Sequence, residues 1–232
     1  MALFCERVID FYGNLKFSGI LPSGINIMNP YQEDPKVFSV VRKFYRKYYS
    51  DNKTRHMILG INPGRFGAGA TGLPFTDTIR LKEKCGLEIP GLKTRETSSV
   101  FIYEMIDRYG GPGKFYSDYF ISAVSPLGFT RAGPRGKELN YNYYDSRELA
   151  DAIIDFVVDS IERQLDFGIK RDVVFCLGTG KNYKFLADIN RQYHFFNRIE
   201  PLEHPRFIMQ YRLKKKEFYI MYYLEKLSIS NS

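Results

Sequence analysis

His56-Met57-Ile58-Leu59-Gly60-Ile61-Asn62-Pro63-Gly64-Arg65-Phe66-Gly67-Ala68-Gly69-Ala70-Thr71-Gly72-Leu73-Pro74-Phe75 changes character half-way along. A short apolar run of strand-forming residues gives way to a loop. From the strand end onward it holds five glycines (Gly60, Gly64, Gly67, Gly69, Gly72) and two prolines. Glycine lets backbone approach a ligand closely or adopt positive φ. Proline stiffens the same loop. An Asn-Pro-Gly turn alone would need no further explanation, but this stretch is far longer than a turn requires. It matches neither the phosphate-binding G-x-x-x-x-G-K-[ST] nor the dinucleotide-binding G-x-G-x-x-G pattern.

The flanking sequence supplies a scaffold. Residues 119–124 (Tyr-Phe-Ile-Ser-Ala-Val) read as a buried strand, and 172–177 (Asp-Val-Val-Phe-Cys-Leu) are an uninterrupted β-rich run, as expected of a strand covered on both faces. The first stops at Ser125-Pro126, where proline removes a ladder donor. Residues 206–211 read as the fourth strand. Apolar spacing predicts helices over 1–20, 35–49, 97–109, 146–165, 181–190 and 214–227. Asp145 followed three residues later by Glu148 predicts a capping box at the start of the 146–165 helix. Residues 21–35 and the basic stretch 131–137 read as loops. Strands alternating with helices argue for a three-layer α/β/α sandwich around a short, mainly parallel four-stranded sheet, in one domain over 1–232. Ligands bind such sheets at the carboxyl ends of the strands. The loops at 60–75, 125–140 and 178–182 lie there, and 200–205 precedes the fourth strand or joins the same site.

Composition narrows the partner. The 232 residues are 44% hydrophobic and 26% charged, as in an ordinary globular domain. No apolar run reaches the ~20 residues of a membrane span, and the N-terminus lacks the pattern of an export signal. A cytoplasmic, monomeric protein that engages no membrane is expected. Cys5, Cys85 and Cys176 are too dispersed for a zinc or iron–sulfur site, so neither metal nor cofactor is expected. Lys and Arg number 34 against 26 acids, a net +8. With 16% aromatic residues this suits a nucleic-acid partner, although most rings are expected to fill the core. Lys214-Lys215-Lys216, just before the last predicted helix, oppose its dipole, and a bound phosphate would relieve them. Gly178-Thr179-Gly180-Lys181-Asn182 invites a nucleotide-binding reading, but it reads better as a strand-to-helix turn.

Gly60-Ile61-Asn62-Pro63-Gly64, Phe66-Gly67 and Thr71-Gly72-Leu73-Pro74-Phe75 together resemble the first motif of the single-strand-selective monofunctional uracil-DNA glycosylases. Asn29-Pro30-Tyr31, the basic helix near 42–48, Ser125-Pro126-Leu127 and Glu200-Pro201-Leu202-Glu203-His204-Pro205-Arg206 resemble further segments of that family in the same order. The resemblance implies hydrolysis of the N-glycosidic bond of uracil, or a related damaged base, in DNA. The base would be flipped into a pocket, with no metal and no lyase step. By that resemblance Asn62 positions the attacking water and contacts the sugar. Backbone around Ile61, Gly64, Phe66 and Gly67 holds the base edge. His204 faces the negative charge that builds on the departing base. Phe75 stacks on the flipped ring; the alternative for Phe75 is a core side chain. Arg65, Arg206, Arg212, Lys214 and Lys215 are candidates for contacts to DNA.

Two departures stand out. The family's base-reading asparagine falls at Ala123 here, leaving Ser122, Asn140 or Asn142 as alternatives for its role. After His204-Pro205 the chain passes directly to Arg206-Phe207-Ile208, a shortened form of the family's wedge loop, with Arg206 as its candidate wedge. The alternative function is a non-catalytic nucleic-acid-binding protein that retains the glycosylase fold. A nucleotide-binding protein using 178–182 is a third reading.

Overall fold

A computed structural model describes residues 2–229. In chain order the elements are α1 (Phe4–Gly13), β1 (Ile25–Met28), α2 (Pro30–Glu33), α3 (Pro35–Tyr48), β2 (Arg55–Gly60), α4 (Ala68–Thr71), α5 (Thr78–Cys85), α6 (Thr97–Tyr109), α7 (Pro112–Asp118) and β3 (Tyr119–Ala123). They continue with β4 (Gly128–Ala132), β5 (Glu138–Tyr141), α8 (Arg147–Ala152), α9 (Ile154–Leu165), β6 (Ile169–Leu177), α10 (Lys181–Tyr193), β7 (Arg198–Leu202), α11 (Pro205–Tyr211) and α12 (Lys216–Ile229).

The central sheet has the order β3-β2-β6-β7, and every pairing in it is parallel. Helices flank it, giving the three-layer sandwich. All six residues of β2 and all five of β3 are buried, Arg55, His56 and Ser122 among them as hydrogen-bonded polar side chains. The two strands run level, from His56 opposite Tyr119 to Gly60 opposite Ala123. The glycine-rich loop and Ser125-Pro126 therefore leave the sheet side by side. Most aromatic side chains do fill the core: Tyr12, for example, stacks on Tyr31 and Tyr45 at centroid separations of 4.4 and 5.8 Å.

Several expectations require correction. The fourth strand is β7, not 206–211, which form α11. Pro205 takes the first helical position, where its missing N–H costs nothing. Pro205 and Ile208, three apart, turn inward, so the period is helical. The stretches read as loops hold a second sheet, β1-β4-β5, wholly antiparallel. Its strands are short and half-exposed, and no apolar run marks them. The long helix 146–165 breaks at Ile153, and its N-cap is Ser146 rather than Asp145: Ser146 Oγ accepts the Leu149 N–H at 3.2 Å. Helices α5 and α7 were not anticipated. The first helix is confined to Phe4–Gly13.

One buried cation pins the start of β2. Arg55 is fully buried; its Nε donates to Tyr116 O at 2.8 Å and a terminal nitrogen to Asp51 Oδ2 at 3.0 Å. The guanidinium lies 4.5 Å from the Phe4 ring centroid and 4.8 Å from that of Tyr49. Removing it strands the Tyr116 carbonyl, releases the Asp51 carboxylate and empties the space between two rings. The Asp51 side chain is 35% exposed and can rehydrate, so the cost is that of the unpaired Tyr116 carbonyl and the lost ring packing, about 1–3 kcal/mol. Arg55→Leu is therefore expected to lower unfolding stability in urea by about that amount, and a loss under ~1 kcal/mol would contradict this account.

Candidate active site

The carboxyl end of β2 sets the geometry. Beyond Gly60, the backbone of Gly60 and Ile61 accepts hydrogen bonds from the N–H groups of Val124 and Ser125 at 3.0 and 3.1 Å. That zips the two strand exits together and fixes where Asn62 emerges. The Asn62 side chain is held from the second sheet. Its Nδ2 donates to Tyr141 O at 3.2 Å, at the end of β5, and to Pro63 O at 3.3 Å. Its Oδ1 accepts the Tyr143 N–H at 3.1 Å. Oδ1 keeps a second lone pair, and Asn62 lines the cavity described below.

The loop after Asn62 is built on tight approaches. The N–H groups of Gly67 and Gly69 both donate to Gly64 O, at 3.0 and 2.9 Å. Gly72 takes φ +69 where a Cβ would meet Val41 Cγ2 at 2.7 Å. Among the described residues, Phe75 is one of two non-glycines with positive φ, at 52°. Its ring lies over Gly60, where a Cβ would stand 3.0 Å from Phe75 Cε2 and Cζ. Strain of this kind persists where the surroundings enforce it; here the absent Gly60 side chain makes the room.

His204 arrives from the other side. It leaves β7 and caps α11, its Nδ1 accepting the Arg206 N–H at 3.1 Å. The neutral ring therefore carries its hydrogen on Nε2. Desolvation, reinforced by the Arg206 charge, pushes the imidazole pKa down to about 4. The ring sits 5.8 Å from that of Phe75, centroid to centroid, at 49°.

These residues share one cavity of about 380 Å³, within the range of small-molecule sites. Of the candidates, Asn62, His204, Ile61, Gly64, Phe75, Ser122 and Arg206 line it. Ser122 is not free to read a base: its Oγ donates to Gln164 Oε1 at 2.5 Å. Asn140 and Asn142 also reach the cavity wall; Asn140 Oδ1 already accepts the Arg65 N–H at 3.0 Å. Phe66 lies outside the cavity, 54% exposed, in a neighbouring groove with the Arg65 guanidinium 4.9 Å from its ring centroid. Gly67 packs against Glu96 instead of lining the cavity. Arg212, Lys214 and Lys215 are exposed just beyond α11, with Arg212 over the Phe207 ring at 5.3 Å. His56 is buried and bonded to Asp172 at 3.1 Å. In the 178–182 turn Asn182 is buried, bonded to Leu177 O at 3.0 Å and accepting from Tyr143 Oη at 2.6 Å. The turn joins β6 to α10, and its Thr179, Gly180 and Lys181 are exposed.

Sequence reasoning missed Glu96, Tyr144, Gln210 and Tyr211, which complete the wall. Gln210 and Tyr211 were hidden by reading α11 as a strand; nothing local marks Glu96 or Tyr144 as site residues.

A loop at the end of a parallel strand, an orienting amide, a stacking ring and a neutral imidazole donor thus converge on one hole. The sequence pattern of the uracil DNA glycosylase superfamily matches residues 46–228. The chain belongs to that superfamily. It is also similar, over the full length of both chains, to the crystal structure of wild-type Pedobacter heparinus SMUG2, at 51% identity and a TM-score of 0.97. No curated protein matches it. The chain is accordingly an enzyme of the uracil-DNA glycosylase type, acting on DNA.

His204 in this setting stays neutral through the physiological range. Its protonation should be invisible to ¹⁵N NMR until the pH falls well below the ordinary value of 6.5, toward about 4, with the hydrogen on Nε2 throughout. Because the folded pKa is depressed, the unfolded chain binds the proton first, and this residue's contribution to stability is lost as pH falls through that window. A titration midpoint near 6.5 would contradict the assignment.

Proposed function

We propose that this protein hydrolyses the N-glycosidic bond of uracil, and of closely related damaged bases, in DNA, with Asn62 and His204 as its central residues. The observation that carries the reading is the convergence on a single cavity of Asn62 and Phe75, from the loop after β2, and His204, from the distant end of β7. Cleavage builds positive charge on the sugar and negative charge on the departing base. The flipped base enters the cavity and stacks on Phe75. His204 Nε2–H donates to the base carbonyl oxygen as charge builds there, and a neutral donor serves because it is already aimed and need not be reorganised. The free lone pair of Asn62 Oδ1 accepts from the attacking water and aims it at the sugar carbon. Arg206, at the cavity wall, and Arg65, Arg212, Lys214 and Lys215, around it, take the phosphates of the strand.

Base selection follows from what β3 lacks. Ala123 offers no amide, and the Ser122 hydroxyl is spent on Gln164. Selection against related bases therefore rests on shape, on His204 and on the amides of Asn140 and Asn142, which supports a wider substrate range than uracil alone.

Single-turnover excision from a uracil-containing oligonucleotide tests the assignment. Asn62→Ala and His204→Ala are each expected to slow excision by about 10²–10³, the usual loss for one transition-state donor, while DNA binding is largely kept. Two mutants that excise at the wild-type rate would place the chemistry elsewhere.

The basic turn has its own test. Replacing Lys214 and Lys215 with alanine should weaken DNA binding and reduce the slope of log K against log salt by up to about 1.8, about 0.9 per lost phosphate contact on a duplex. An unchanged slope discards those contacts.

A further inference from the structure

Hydrolysis releases a proton from the attacking water, and that proton needs an acceptor. An amide can orient water but cannot take a proton near neutral pH, so Asn62 does not fill the role. His204 does not either: its Nδ1 is engaged by the Arg206 N–H and its Nε2 already carries hydrogen. Among the described residues that line the cavity, one is a carboxylate, Glu96.

Glu96 is unusual on geometric grounds. It is the N-cap residue of α6, but its side chain does not cap; the backbone N–H donates to Asp77 Oδ2 at 2.9 Å and the carboxyl turns toward the glycine loop. Its Oε2 is enclosed and has no hydrogen-bond partner among the described residues. A buried carboxylate oxygen left unpaired is costly, so its retention calls for a reason. The loop is shaped around it: a Cβ on Gly67 would stand 2.2 Å from Oε2, and one on Gly64 would stand 3.8 Å from Oε1. The carboxyl thus lies against the segment that begins at Asn62, on the wall of the same cavity.

We propose that Glu96 is the general base of the reaction, accepting the proton of the water that Asn62 orients; this rests on the glycosidase reading above. The water oxygen forms its bond to the sugar C1′. The C1′–N bond breaks with its electron pair going to the base. The released proton passes to the Glu96 carboxylate. The base anion, held by His204 Nε2–H, takes its proton from solvent on release. Before the proton moves, the anionic carboxylate also offsets the positive charge gathering on the sugar.

The electrostatics agree. Burial first, and then the nearby Asp77 carboxylate at the start of α5, raise the Glu96 pKa to about 7, while Arg206 on α11 opposes them. Asp77 is itself paired with Arg80 at 3.3 Å. The glycine loop presents no charge to Glu96 from Gly64 to Gly67 other than Arg65, whose guanidinium lies over Phe66. A base whose pKa lies near the working pH is the most effective one.

The experiment is the pH dependence of single-turnover excision on a uracil oligonucleotide, for wild type, Glu96→Gln, Glu96→Ala with and without added formate, and Gly67→Ala. Wild type should gain rate as pH rises and level off above about 7, since Glu96 acts when ionised. Glu96→Gln should lose about 10²–10⁴ in rate at the plateau, the usual span for general-base catalysis, and its profile should be flat. Formate should restore part of the rate to Glu96→Ala, which a purely structural role would not allow. Gly67→Ala, which displaces the carboxyl without removing it, should be slow too. A wild-type profile that is flat from about pH 5 to 9 overturns the proposal without any variant, as does a Glu96→Gln enzyme that keeps the acid limb. Wild type that excises nothing at any pH would remove the glycosidase reading itself; active wild type with an indifferent Glu96 removes only the base.

Discussion

The side-chain amide of Asn62 ties the exit of the central sheet to the tail of β5, beside a second tie from the Arg65 N–H to Asn140 Oδ1. The three hydrogen bonds of the Asn62 amide reach Tyr141 and Tyr143, about eighty residues along the chain, as well as neighbouring Pro63. A strand end in a parallel sheet leaves its following loop poorly determined, because the ladder stops there. In this protein the ladder is replaced by side-chain bonds to the tail of an antiparallel hairpin. The small sheet thereby becomes the clamp that orients the reactive amide, and a group held on both its donor and acceptor sides cannot rotate. Preorganisation of that kind is what lets a weak polar contact count in a transition state.

The other constraint is missing volume. Gly60 leaves room for the Phe75 ring, Gly67 for the Glu96 carboxyl, and Gly69 for Gly64 O, where a Cβ would sit 2.8 Å away. Outside the loop, Gly128 does the same for Pro63 O at 2.5 Å. The glycines therefore do more than bend the chain. Each stands where a neighbouring functional group or carbonyl presses in, and positive φ accounts only for Gly72 among those in the loop. A ring stacked over bare backbone and a carboxyl pressed on bare backbone both lose freedom, so the cavity wall is stiff although it is built from loop.

Much of this was legible in the sequence, and the failures share a cause. β2, β3 and β6 announce themselves because their buried stretches Met57–Leu59, Tyr119–Ile121 and Val173–Leu177 are wholly apolar. β7 does not: it is an edge strand, Arg-Ile-Glu-Pro-Leu, with a single fully buried residue, and its signal was outweighed by the apolar run in α11. His204 lies between the two elements, at the mouth of the sheet under either reading. β1, β4 and β5 were invisible for the same reason as β7, with half their surface in water. Glu96 could not be found from spacing at all. It stands thirty-four positions beyond Asn62 in an ordinary polar stretch, and only the fold brings it to Gly67. The Ser122 hydroxyl shows the reverse: it occupies a promising position in sequence but spends its donor on Gln164, a partner that no local pattern reveals.

The His204-Pro205-Arg206 tripeptide shows how little sequence is needed once the fold is set. Proline can open a helix because its nitrogen has nothing to donate. The first N–H available at the start of α11 is therefore that of Arg206, two residues after the histidine, and it lies within reach of Nδ1 alone. Capping the helix and fixing the tautomer are one event. The same arginine places a positive charge beside the ring, which adds to desolvation in holding it neutral. It also favours ionisation of Glu96, at the start of α6. One side chain thus biases His204 and Glu96 in the directions that cleavage needs, a donor that is not charged and an acceptor that is. Exchanging Arg206 for a neutral residue would therefore disturb the division of labour between the two groups, in addition to any contact it makes with a phosphate.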